Sequence, residues 1–158
     1  MKIIFLDIDG VLNNQFSKSR CGQFIGIDND KVKLLRKIVD ATGAKIVLSS
    51  TWRLGYNRAG YCLDKNHKYM NNKLRKQELR IYSVTPNLHG DCRGAEINQW
   101  LKEHEHENIE NWVVLDDEFF PDFNAYDIPQ HLVETFFYSE YGGLTEEHVE
   151  KAIDILNS

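Results

Sequence analysis

Two aspartates, Asp7 and Asp9, stand two positions apart where a run of apolar residues ends, and a second acidic pair, Asp116 and Asp117, closes another such run. A third run is followed by Ser49, Ser50 and Thr51. Aspartates at i and i+2 of a strand end can point to the same side. Two such pairs at one edge crowd negative charge that a cation must offset. Oxygen donors of this kind suit Mg²⁺, which binds through one or two carboxylates, keeps several waters and leaves room for a phosphate oxygen. The chemistry this allows is phosphoryl transfer: an ionised Asp attacks phosphorus while a neighbour protonates the leaving oxygen and later activates water. Asp7 and Asp9 suit these two roles.

The elements that must position these groups follow from the apolar pattern. Lys2 to Ile8, Lys45 to Ser49 and Trp112 to Asp116 are short, continuously apolar and then polar, as buried parallel strands are. Leu132 to Tyr138 is a further candidate strand. Between the first two strands, Val32, Leu35, Ile38 and Val39 recur at helical spacing over Asp30 to Thr42, with Asp28 or Asn29 placed to cap the start and Gly43 to close the end. Gly94 to His106 and Thr145 to Leu156 show the same periodicity, the latter behind a Thr145 cap. Strands alternating with helices predict a doubly wound, Rossmann-like α/β fold: a parallel sheet with helices on both faces and its ligand at the strands' carboxyl ends. All four aspartates fall there.

With 158 residues the chain is about one domain long, and we read residues 1–158 as a single domain. Hydrophobic residues at 42% and charged ones at 27% exclude the disordered class. No apolar run approaches the ~18 residues of a membrane helix, so neither a membrane span nor a leader peptide is expected. The three cysteines, Cys21, Cys62 and Cys92, match neither a disulfide framework nor a zinc ribbon, and they fit reduced thiols in a cytoplasmic protein. A net charge of −5 argues against a surface coated with nucleic-acid contacts, yet residues 53–80 carry a local net of +6.

The segments FLDIDGVL, VLSSTWR, an Arg-Gly before a helix and VVLDDE, in that order, resemble the haloacid dehalogenase-like (HAD) phosphatase superfamily. Within it, SSTWR, a Thr-Pro ahead of RGAEINQWL and the tail QHLVETFFYSEYGGLT are most similar to the HAD domains of Swiss-army-knife RNA-repair proteins. The resemblance implies that Asp7 forms an aspartyl-phosphate and Asp9 is the general acid and base. Ser49 would hydrogen-bond a phosphate oxygen, with Ser50 in that place if the strand runs one residue longer. Arg93 stands where the superfamily usually has Lys, and a planar fork is not equivalent to a point charge. Asp116 and Asp117 would hold Mg²⁺ with Asp7 and the backbone carbonyl of Asp9, and Gly10 would let the chain approach phosphate closely.

Substrate choice in the superfamily usually rests on cap insertions, and both inserts here are short: a flap over Asn13 to Ile27, and a basic segment over Leu54 to Asp91 bearing Tyr56, Tyr61 and Tyr69. No large cap domain is expected. The basic segment suits a polyanion such as a nucleic-acid end. It suits equally the solvated face of a helix whose Met70, Leu74 and Ile81 pack inward. Arg53 either reaches substrate phosphate or pairs with a carboxylate to hold its loop. Phe119, Phe120 and Phe123 line a leaving-group pocket or belong to the core, and the histidines read as surface residues. The expected activity is hydrolysis of phosphate monoesters. Its alternatives are a small-molecule (nucleotide or sugar phosphate) phosphatase and a catalytically idle binding module on the same fold.

Overall fold

The computed structural model describes residues 1–55 and 65–158; Tyr56, Arg58, Tyr61 and Cys62 of the basic segment lie outside the described residues. Five parallel strands form the main sheet: β1 (Lys2–Leu6), β4 (Lys45–Leu48), β5 (Ile81–Val84), β6 (Asn111–Asp116) and β7 (Leu132–Glu134), in the spatial order β5-β4-β1-β6-β7. Between β1 and β4 runs α1 (Asn29–Thr42); α2 (Lys65–Arg75) precedes β5, α3 (Arg93–Glu103) precedes β6, and α4 (Glu146–Asn157) closes the chain. A two-stranded hairpin, β2 (Arg20–Cys21) and β3 (Phe24–Ile25), fills the flap segment.

The period-two alternation of β1 divides the core. Ile4 and Leu6 pack with Val32, Leu35 and Ile38 of α1, Met70 and Leu74 of α2, and Val149, Ala152 and Leu156 of α4. Ile3 and Phe5 face the opposite side, against Ile97 and Trp100 of α3 and against Phe120 and Phe123, with the Phe5 and Trp100 rings edge to face at 5.5 Å. Helices therefore cover both faces of a parallel sheet, as expected. Each fully buried Leu, Ile or Phe contributes about 1.5–3 kcal/mol relative to an exposed one, so these two layers hold β1 in place at the centre.

The helix termini obey local chemistry. Gly43, at φ 71°, closes α1 and donates its N–H to the Val39 carbonyl, and Thr145 with His148 forms a reciprocal capping box on α4. Three expectations are revised. Ile81 opens β5 instead of extending a helix, because the helical turn ends at Glu78, whose φ is +58°. β7 stops at Glu134, since the chain then bends back so that Phe137 O accepts Gln15 N–H. His67 is buried, with a ring nitrogen hydrogen-bonded to the Trp52 carbonyl. Cys92 is a free thiol. Among the described residues no helix is long and apolar enough to cross a membrane.

Candidate active site

Strand pairing places the acidic groups. β1 and β6 are adjacent and parallel with Leu6 opposite Leu115, and Asp7 N–H continues the ladder to the Leu115 carbonyl at 3.0 Å. Asp7 and Asp116 thus end neighbouring strands, which lie roughly 4.8 Å apart. Asp117 follows one residue later. Carboxylate oxygens of Asp7, Asp116 and Asp117 all lie within 4.8 Å of one another. Asp116 is fully buried and Asp7 nearly so, while Asp117 is half-buried.

Arg93, the first residue of α3, enters this cluster from the other layer. Its Nη1 lies 2.8 Å from Asp116 Oδ2 and 3.5 Å from Asp7 Oδ1, and its guanidinium rests 4.5 Å from the centre of the Phe120 ring. The helix start is fixed by Asp122, whose two carboxylate oxygens accept the Gly94 and Ala95 N–H groups at 2.9 and 2.8 Å. An acceptor there satisfies free N–H groups and complements the helix dipole.

Burial pushes the carboxyls of this cluster toward their neutral forms. Asp7 is raised by desolvation, although Arg93, the Ile8 N–H and the Ser50 hydroxyl favour its anion. Asp116 lies well above the usual carboxylate range through burial and the charge of Asp7. Asp117 is raised to about 7 by burial, by the charge of Asp7 and by a hydrogen bond to it. Burial alone would lower Arg93, but Asp116 and Asp7 outweigh it and hold the guanidinium charged.

One guanidinium cannot balance three ionised carboxylates, and the donor set is entirely oxygen. Octahedral ligands held at 2.0–2.1 Å lie about 3–4 Å from one another, close to the spacing found here. These residues fit a hard divalent cation such as Mg²⁺.

The remaining residues singled out in the sequence fall around this centre. Gly10 has φ +85°, and a β-carbon on it would lie 2.4 Å from Asp117 Cγ; its N–H donates to Asn13 Oδ1 and its carbonyl accepts from Thr135 Oγ1. The Ser50 hydroxyl accepts the Trp52 N–H at 3.2 Å and favours the Asp7 anion, whereas the Ser49 hydroxyl is buried without a hydrogen-bond partner. Asp9 is exposed and its carboxylate stands outside the cluster of three, held by Asn13 Nδ2 at 2.9 Å and Trp52 Nε1 at 3.2 Å. Arg53 is buried: its Nη2 meets Glu96 Oε2 at 2.5 Å, and its Nη1 donates to the carbonyls of Ser49 and Ser50 at 3.1 and 2.9 Å. A cavity of about 220 Å³ lies between Arg53, Glu96, Arg93 and Phe120. Phe120 and Phe123 are core residues and Phe119 is exposed.

Sequence reasoning missed Asn13, Trp52, Glu96, Asp122 and Thr135. Glu96 carried a signal, since it lies among Ile97 and Trp100 on the buried side of α3 where an acid needs a partner. Trp52 adjoined the polar strand-end motif. Asp122 lies in a loop with no periodicity to mark it.

A parallel sheet that gathers aspartates from two adjacent strand ends, faced by a cation from a helix start, is the arrangement expected of the HAD class of phosphatase-type hydrolases. The sequence matches the family described as the HAD domain in Swiss Army Knife RNA repair proteins over residues 3–149, and the chain belongs to that family. No curated protein and no solved structure matches it significantly.

Proposed function

We propose that this chain is a Mg²⁺-dependent phosphohydrolase that cleaves phosphate monoesters through an aspartyl-phosphate on Asp7. The observation that carries this reading is the convergence of the Asp7, Asp116 and Asp117 carboxylates within 4.8 Å, with Arg93 as the cation beside them.

Asp7, Asp116, Asp117 and the Asp9 carbonyl would hold Mg²⁺, which would offset the carboxylate charge and polarise a phosphate oxygen. An Asp7 oxygen then bonds to phosphorus as the ester P–O bond breaks, and the leaving oxygen takes the proton of Asp9. In the second half, Asp9 removes a proton from water, the resulting oxygen bonds to phosphorus, and Asp7 departs with its carboxylate restored. β4 ends at Leu48, so Ser49 and Ser50 both follow it and are the hydroxyls available to a phosphate oxygen. Arg93 offsets charge on the transferring group, as electrostatic stabilisation of phosphoryl transfer requires. Arg53, engaged by Glu96 and two carbonyls, holds the turn instead of touching substrate.

For the substrate, the exposed side chains of Lys65, Lys68, Arg75, Lys76 and Arg80 on and just after α2 favour a second, narrower reading: the phosphorylated end of a nucleic acid. Both readings are tested by phosphate release, with and without Mg²⁺, from nucleotides, sugar phosphates, an aryl phosphate and a 3′-phosphorylated oligonucleotide. Release that needs Mg²⁺ and is lost in Asp7→Asn is the expected result. Release undiminished in a folded Asp7→Asn protein overturns the nucleophile assignment. Preference for small esters over the oligonucleotide, unaffected by Lys68→Glu with Lys76→Glu, removes the nucleic-acid reading.

A further inference from the structure

The geometry points to Trp52 as a positioning residue for Asp9: its indole N–H, held by the turn that also carries Ser50, fixes the carboxyl that gives and takes the proton. This rests on the preceding assignment of Asp9 as acid and base. An exposed aspartate three residues beyond a strand would ordinarily sample several rotamers, and proton transfer needs one. Here each oxygen is held by a different segment. Oδ1 accepts from Asn13 Nδ2 at 2.9 Å, and Oδ2 from Trp52 Nε1 at 3.2 Å.

Neither donor can serve as a relay. An indole nitrogen only donates, and an amide N–H does not titrate in this range, so both hold the carboxylate without competing for its proton. Both are themselves anchored. Asn13 is fully buried, accepts the Gly10 N–H through Oδ1, and donates also to the Gly26 carbonyl. Trp52 packs against the core, donates its backbone N–H to Ser50 Oγ at 3.2 Å, and offers its carbonyl to His67 of α2. The turn beneath it is tied by Arg53 to the Ser49 and Ser50 carbonyls and to Glu96.

The turn after β4 thus reaches Asp9 through the Trp52 indole, while its neighbour Ser50 favours the Asp7 anion. This gives the residues following β4 a second use besides phosphate contact.

Trp52→Phe keeps an aromatic ring while removing the N–H together with part of the indole's bulk. The test compares kcat and KM of wild type, Trp52→Phe, Asp9→Asn and the double variant on an alkyl phosphate, whose poor leaving group needs an acid, and on p-nitrophenyl phosphate, which does not. The expected result is a roughly 10-fold loss of kcat/KM for Trp52→Phe on the alkyl ester and less than about 3-fold on the aryl ester, because kcat/KM reports the first half-reaction and not the water step that Asp9 also serves. In the Asp9→Asn background the same substitution should have no further effect. Equal losses on both esters, losses that add to those of Asp9→Asn, or full alkyl-ester activity in Trp52→Phe would each overturn the inference. An Asp9→Asn protein as active as wild type on the alkyl ester would instead remove the assignment of Asp9 on which it rests.

Discussion

Gly10 lies so close beneath Asp117 that a β-carbon on it would fall 2.4 Å from the Asp117 Cγ and 2.6 Å from Oδ2. The glycine is demanded twice over, by this contact and by its φ of +85°. Gly10→Ala should lose about 1–3 kcal/mol of stability in urea denaturation, as a non-glycine residue held in that conformation does. Because the clash displaces a carboxylate of the cluster, Mg²⁺ affinity measured by calorimetry should fall in parallel. A variant with unchanged Mg²⁺ affinity would show that Asp117 is not a ligand.

The raised carboxyls fix the sign of a pH effect. Asp117 titrates near 7 in the folded metal-free protein and near 4 in the unfolded chain, so the folded state binds more protons between these values. Stability of the metal-free protein from this group is therefore greatest at low pH and declines as pH rises from about 4 through 7. Mg²⁺ competes with those protons. Thermal melting should show a larger rise in Tm on adding Mg²⁺ at pH 8 than at pH 5.5; an equal rise at both would place the ion elsewhere.

Arg93 separates charge from shape. Arg93→Ala leaves Asp7 and Asp116 without their cation and should lower kcat by at least about 100-fold, the scale of removing one stabilising group in a dry site. Arg93→Lys keeps the charge while losing the fork and the contact with Phe120. Steady-state kinetics should find it within about 10-fold of wild type, well above the alanine variant. If lysine is as poor as alanine, the guanidinium plane and not its charge is what the site uses.

The Arg53–Glu96 pair is buried on both sides, and breaking it leaves an uncompensated charge. Glu96→Ala should cost about 3–5 kcal/mol. Replacing both, as Arg53→Met with Glu96→Leu, should cost clearly less than the sum of the single changes, which a denaturation cycle measures. Additive losses would mean that each residue acts through other partners, such as the Leu88 N–H that Glu96 also accepts at 2.9 Å.

Much of the fold was legible because its signals are local and redundant. Along α1, apolar spacing and a closing Gly43 agree, and for β1, β4 and β6 an uninterrupted apolar run ends in polar residues. β5 was not legible for the opposite reason. Its four residues are each only half-buried at the sheet edge, and Ile81 falls at helical spacing from Met70 and Leu74. The three-carboxylate cluster could be anticipated since every member either ends a strand or follows directly on one. The clamp on Asp9 could not, because Asn13 and Trp52 are brought to it by a flap and a turn whose approach depends on tertiary packing. Arg53 allowed two readings until its partner, 43 positions away, was in view.

Both borders of the sheet are short: β5 has four residues and Pro86 two positions beyond its end, while β7 has three with Pro129 just before it. A border so brief and so flanked offers few consecutive free amides and carbonyls to a foreign strand. The molecule should therefore resist growing by strand addition even at high concentration. Any partner it keeps must be gripped by side chains of its loops and helices, not by extension of its sheet.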